Sequence, residues 1–238
     1  MKRPFSLSPR LAAVARWVPE GTSLADIGTD HGRLPVWLIQ HGVVDRAVAS
    51  DLRPGPLSRA RGLAERWGVA DRISFRLCDG LSDIRAEEVQ TVTVAGMGGE
   101  TIAAILAAVP WSGQPGHQYI LQPMSGLDGL RRYLSRHGFA IRREILAEEG
   151  ETLYVVLLVE PGEMPPLTDG EIWVGRQTWG EDSPLRGKYL EQELNKLRRA
   201  AKGLSRSEEV ADRARRAQYE ASVQEIEQMR EEWQQWQT

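Results

Sequence analysis

Short apolar runs alternate with helically spaced apolar positions through residues 1–160, and that beat predicts the elements. Ser8-Pro9 supplies an N-cap and a proline at the first helical position, after which Leu11, Val14, Ala15 and Val18 share a face up to Pro19. Strands are predicted at 24–28, 47–51, 73–77, 91–95 and 119–121. Helices are predicted at 34–41, 54–67, 101–109 and 127–137, with Gly68 and Gly138 as stops. Beyond Gly138 the beat changes. Residues 139–146 and 152–160 are both strand-like, and the acidic turn Glu148-Glu149-Gly150-Glu151 leaves no room for a helix between them. They read as an antiparallel hairpin. Repeated strand-helix units give parallel neighbours with right-handed crossovers. Residues 1–160 therefore predict an open α/β sheet, seven-stranded and mainly parallel, with an antiparallel edge.

Residues 161–166 are rich in Pro, Gly and Glu and read as a linker, dividing the chain into 1–160 and 161–238. In the second part Leu190, Leu194, Leu197, Ala201 and Leu204 step by helical intervals, and Val210, Ala214, Ala217 and Ala221 continue the pattern after Gly203. Ser205 with Glu208 is the spacing of a capping box, which would start the second helix there. Two long helices joined by a short break predict an antiparallel helical hairpin. From the residues alone it is either a solvated coiled-coil stalk or dimerisation arm, or a substrate-binding element.

Composition narrows the classes. With 238 residues, 41% hydrophobic and 26% charged, the chain reads as a soluble globular protein. No run approaches the roughly 18 apolar residues of a membrane span. The N-terminus lacks the apolar core of a secretory signal, so a cytoplasmic protein is expected. One cysteine, Cys78, leaves no internal disulfide and no zinc cluster, and no metal is expected. The net charge of -3 by itself speaks against a nucleic-acid partner.

Chemistry concentrates at the predicted strand ends, where ligands of open α/β sheets sit. Ala25-Asp26-Ile27-Gly28-Thr29-Asp30-His31-Gly32 turns from strand into helix without the glycine spacing of a dinucleotide or triphosphate loop. Asp51 closes the second strand, where a carboxylate can take both hydroxyls of a ribose, and Asp79-Gly80 follows the third, where an acid can take an adenine amino group. Each aspartate alone could be a turn or cap residue. Three in register favour a nucleoside site.

The segments Ala25 to His31, Asp79-Gly80-Leu81, Ala95-Gly96-Met97-Gly98-Gly99 and Leu121-Gln122-Pro123 resemble the successive motifs of the bacterial tRNA (adenine-N1)-methyltransferases that modify adenosine 22. The resemblance runs from Ser8-Pro9-Arg10-Leu11 to about Glu160 and more weakly through the tail; it departs at Gly32-Arg33, Asp51, Cys78 and Met124. It implies a Rossmann-like class I methyltransferase core followed by a C-terminal helical coiled coil, with S-adenosyl-L-methionine as cofactor and tRNA as partner. It places Asp26, Gly28, Thr29, Asp30 and His31 on the cofactor loop, Asp51 and Leu52 at the ribose, Asp79, Gly80 and Leu81 at the adenine, and Ala95, Gly96 and Met97 against the cofactor. Gly98, Gly99, Gln122 and Pro123 would wall the target base, although Gly98-Gly99 also suits a plain helix start. Asp30 would act as catalytic residue by accepting a hydrogen bond from the adenine amino group. Adenine N1 lies on the Watson–Crick edge, so the base must be unpaired or extruded to react.

A tRNA partner gives the charge pattern a second meaning. Lys2, Arg3, Arg10 and Arg16 form one block without acids, and Arg131, Arg132, Arg136, Arg142 and Arg143 another. Residues 186–216 hold ten Lys and Arg against five acids, between acidic flanks. Arg10, Arg131, Arg132, Arg198, Arg199 and Lys202 are the expected tRNA contacts, with the middle of the hairpin as the grip. A methyltransferase with another acceptor and an inactive tRNA- or nucleoside-binding module are the competing readings. The expected assembly is a monomer or weak dimer.

Overall fold

The computed structural model describes residues 5–178 and 183–237, so Lys2 and Arg3 of the first basic block lie outside the described residues. Two compact units follow from the internal packing, Met1–Met164 and Pro165–Thr238.

The first unit contains strands β1 (Leu24–Ile27), β2 (Ala47–Asp51), β3 (Ile73–Leu77), β4 (Thr91–Gly98), β5 (Gln118–Ser125), β6 (Phe139–Glu149) and β7 (Thr152–Pro161), together with five α-helices among the described residues. These are α1 (Pro9–Ala15), α2 (Arg33–Gln40), α3 (Pro54–Trp67), α4 (Gly99–Ala107) and α5 (Leu127–Arg136). Among the described residues the seven strands form one sheet in the order β3-β2-β1-β4-β5-β7-β6. The first five run parallel, and β7 is antiparallel to both β5 and β6, the mixed sheet expected from the sequence. Every residue of β1 and β2 is buried, as a strand covered on both faces requires. Leu34, Val36, Leu38 and Ile39 of α2 and Val14 and Ala15 of α1 pack into one core with Leu24, Ala47 and Ile73.

Register sets the site. Ile27 lies beside Ser50 and Val94, Asp51 beside Leu77, and Ala95 beside Gln122, so the loops after β1 to β5 leave from one sheet edge. The pairing of β4 with β5 is irregular between Ala95 and Met97, and the extra residue, Gly96, has φ +83°. Such a bulge bends a strand next to a site, and glycine adopts that φ without strain. α4 begins at Gly99, two residues before the expected start, and a Cβ at Gly99 would stand 2.2 Å from the Gly126 carbonyl oxygen. Only a bare backbone lets the two turns meet.

The second unit contains α6 (Asp169–Val174), α7 (Arg186–Gly203) and α8 (Val210–Trp236). The short α6 went unrecognised in the sequence, although Thr168 and Glu171 form its capping box. A Cβ at Gly187 would meet the Trp233 ring at 2.6 Å, Glu191 pairs with Arg230, and Arg198 pairs with Glu227, so α7 and α8 run antiparallel. Trp233 therefore packs on its own hairpin. Two expectations are corrected. α8 starts at Val210 with Glu209 at the N-cap; Ser205 instead lies in a turn where its N–H donates to the Lys202 carbonyl. Ala214 and Ala217 are exposed, and the buried positions of α8 are Ser222 and Ile226, because the register sets the first turns of α8 past the end of α7.

Candidate active site

The strand edge opens into a cleft of about 590 Å³, within the usual range for a small-molecule site. Its walls include Asp26, Gly28, Thr29, Asp30, His31, Asp51, Leu52, Asp79, Gly80, Ala95, Gly96 and Met97. Arg10 enters from α1.

The β1 loop depends on local backbone chemistry. Gly28 has φ +66°, and a Cβ there would overlap the Met97 Cε at 2.0 Å, so Met97 lies directly over the loop. Asp30 is the only non-glycine residue at positive φ among the described residues, at +50°. Its backbone N–H donates to the Asp51 carboxylate (3.3 Å), and the Arg53 N–H donates to the other Asp51 oxygen (2.9 Å). Asp51 is thus buried and fixed in direction by two amides, with oxygen lone pairs left for ligand hydroxyls. The Asp30 carboxylate is exposed and has Arg59 at 3.4 Å and His31 at 3.5 Å. Asp79 is exposed, and its carboxylate meets no partner among the described residues. Burial pushes the Asp26 carboxyl up to about 6, with a 2.7 Å hydrogen bond from the Thr93 hydroxyl partly offsetting that rise and the Asp51 charge adding to it.

Other expected residues stand elsewhere. Leu81 is wholly buried beneath the cleft, and Gly98 and Gly99 do not line it: Gly99 is the first residue of α4 and packs on Gly126. Pro123 is buried. Gln122 is also fully buried and its amide is committed. Its oxygen accepts from Arg10 Nη1 (2.6 Å) and from the Gly96 N–H (3.0 Å), and its nitrogen donates to the Pro123 carbonyl (2.8 Å). It holds the bulge instead of facing a base. Arg131 is the plainest correction: it is 0% exposed and pairs with Glu144 at 2.6 Å, so it cannot meet RNA phosphates. Arg132 is half-buried, and Arg142 pairs with Glu160. Arg33 and Arg59 were missed. Arg33 stacks over Phe5 and donates to the Ser6 carbonyl, pinning the segment before α1, and neither contact leaves a signal in sequence spacing.

In the helical unit, Arg198 is paired with Glu227, Arg216 with Glu220 and Lys196 with Glu193. Arg199 donates only to the Asn195 carbonyl, and Lys202, Arg206, Arg213 and Arg215 meet no acid among the described residues. Unpaired positive charge therefore gathers around the turn between α7 and α8, not in the middle of the hairpin.

Residues 7–157 match the methyltransferase domain family. The chain is 36% identical over 166 residues, covering 70% of each sequence, to the tRNA (adenine(22)-N(1))-methyltransferase of Bacillus subtilis (strain 168). The chain belongs to this methyltransferase family. Among solved structures, the B. subtilis m1A22 tRNA methyltransferase TrmK superposes with a TM-score of 0.84 at 28% identity, over 94% of this chain and 99% of the other. A Streptococcus pneumoniae relative, described as a putative tRNA (m1A22) methyltransferase in complex with S-adenosyl-L-methionine, gives 0.81 at 32% identity over 94% and 100%. M. capricolum TrmK, in complex with S-adenosylhomocysteine, gives 0.76 at 27% identity over 93% and 100%. The family's cofactor is S-adenosyl-L-methionine. The residues here suit it: a fixed carboxylate at Asp51 for a ribose, an unpartnered one at Asp79 for an amino group, and bare backbone at Gly28 and Gly96 for close approach. No group of His, Cys, Asp and Glu among the described residues could hold a metal, and no described helix is long and apolar enough to cross a membrane.

Proposed function

We propose that this chain methylates N1 of an adenine in tRNA, with A22 as the expected position and S-adenosyl-L-methionine as donor. The observation that carries the reading is the division of one strand edge. Asp51 and Asp79 lie on the β2 and β3 side, while the bulged Gly96, Gln122 and Arg10 lie on the β4 and β5 side. Donor and acceptor would meet over β1 and β4, where the strand order reverses. The cofactor brings a methyl group already activated on a sulfonium. The protein's task is then to orient and to exclude water, which positioning can supply without covalent help. Asp30 would accept a hydrogen bond from the adenine amino group and stabilise the cationic product; Asp30→Ala that binds cofactor and methylates at the wild-type rate would refute that role.

The turn of the hairpin, with Arg199, Lys202, Arg206, Arg213 and Arg215, would grip phosphates. The protein would act in the cytoplasm as a monomer or weak dimer; packing of Trp233 on Gly187 supports a hairpin that completes itself. Methylation of unmodified tRNA with labelled cofactor, followed by mapping of the modified base, tests the whole reading. Label at N1 of an adenine is expected. Label on protein or on a small molecule would favour another acceptor, and no transfer would favour a binding module.

A further inference from the structure

Arg10 is a sheltered guanidinium that meets no carboxylate among the described residues. It sits in the first turn of α1, is half-buried, and lines the cleft. Its Nη1 donates to Gln122, and its guanidinium carbon lies 5.7 Å from the Tyr154 ring centroid; among the described residues it makes no ion pair. Elsewhere in the same unit Arg76 pairs with Glu88 at 2.6 Å and Arg131 with Glu144 at 2.6 Å, while Arg132, half-buried like Arg10 but outside the cleft, meets no acid among the described residues. The cleft's own carboxylates have other partners: Asp51 accepts from two backbone amides, Asp30 meets Arg59 and His31, and Asp26 accepts from the Thr93 hydroxyl. A guanidinium carries five N–H donors, and one is used here. A partly desolvated charge gains from an anionic partner, and Arg10, unlike Arg132, stands where a ligand in the cleft can supply one.

The sheet says which ligand. Gln122 ties Arg10 to Gly96, on the β4 and β5 side, across β1 from Asp51 and Asp79. That is the acceptor half of the cleft. A cation aimed at adenine N1 would compete for its lone pair and oppose the positive charge of the methylated product, so the base itself is not the target. The backbone beside it is. We propose that Arg10 is the receptor for a phosphodiester adjoining the target adenosine, bound through the guanidinium edge that Gln122 leaves open, and that Gln122 is the positioning residue that aims it. This assignment rests on the RNA-methyltransferase reading above.

The test combines Arg10→Gln and Arg10→Lys with RNA substrates in which one phosphate on either side of the target adenosine is replaced by a neutral methylphosphonate. Single-turnover methylation and cofactor titration of the full chain are the readouts. Losing a charge-assisted contact should lower kcat/KM on unmodified RNA by about 10- to 100-fold in Arg10→Gln, with partial recovery in Arg10→Lys. Cofactor affinity should stay within about twofold, since Arg10 lies on the acceptor side. One methylphosphonate should cost the wild type a similar factor and cost Arg10→Gln little more. A merely structural role for Arg10 would make the two losses multiply, and that result overturns the proposal. Weakened cofactor binding with unchanged RNA dependence would assign the anion to the cofactor's carboxylate and also overturn it. Wild-type chain that transfers no methyl to RNA would refute the enzymatic reading together with this one. Full methylation that ignores both Arg10 and the phosphates would refute this assignment alone.

Discussion

Replacing Asp26 with asparagine keeps the shape of the side chain and an oxygen acceptor for the Thr93 hydroxyl while removing a buried charge. Folding raises this carboxyl from 3.8 to about 6. Between those values the native state holds a proton that the unfolded chain has released, so stability falls as pH climbs through that interval and stays low above it. The gap corresponds to about 3 kcal/mol. Urea denaturation of both proteins from pH 4 to 7.5 isolates this effect, since every other group titrates in both. The Asp26→Asn curve should lie above the wild type by up to about 3 kcal/mol at pH 7.5 and converge with it toward pH 4. Cofactor affinity should fall in the same variant, because Asp26 lines the cleft and its charge is lost. Parallel pH curves, or a variant less stable than the wild type at pH 7.5, would show that the Asp26 carboxylate is solvated or compensated and would refute the reasoning.

Gly99→Ala sets a methyl against the Gly126 carbonyl at 2.2 Å, a backbone neighbour that cannot swing aside, and should cost about 3 kcal/mol or more by thermal denaturation. Arg131→Met leaves Glu144 without its partner and should lower stability by about 3 to 5 kcal/mol, a loss that truncating Glu144 as well should partly restore in a double-mutant cycle. Changing Arg206, Arg213 and Arg215 to Gln should flatten the salt dependence of tRNA binding by about 0.7 to 0.9 in log-log slope for each phosphate no longer neutralised. Arg198→Gln should change that slope less, since Glu227 already neutralises Arg198.

The alternating pattern carried the fold because burial on both faces writes β1 and β2 as continuous short runs and the crossovers as helical spacing. Asp26, Asp51 and Asp79 were legible for the same reason: strand ends are readable, and strand ends in a parallel sheet share one edge. Arg131 shows what the sequence hides. Its place in an acid-free block looks like surface charge until the β6 register brings Glu144 beneath it. Gln122 was expected to face a base, yet its amide is spent on Arg10 and Gly96, contacts 112 and 26 residues away in the chain. The capping box at Ser205 and the alanine seam of α8 failed because local spacing gives no measure of how far one helix outruns its neighbour.

That overrun has a dynamic consequence. α8 is 27 residues long against 18 for α7, and residues 210–215 contain no buried side chain, with Val210 76% exposed. A helix end without tertiary support opens at little cost, so its amides should exchange with deuterium far faster than those around Ile226. Phosphates bound at Arg213 and Arg215 would supply the missing support, and the same amides should then slow when tRNA is added, making this segment a built-in reporter of RNA engagement.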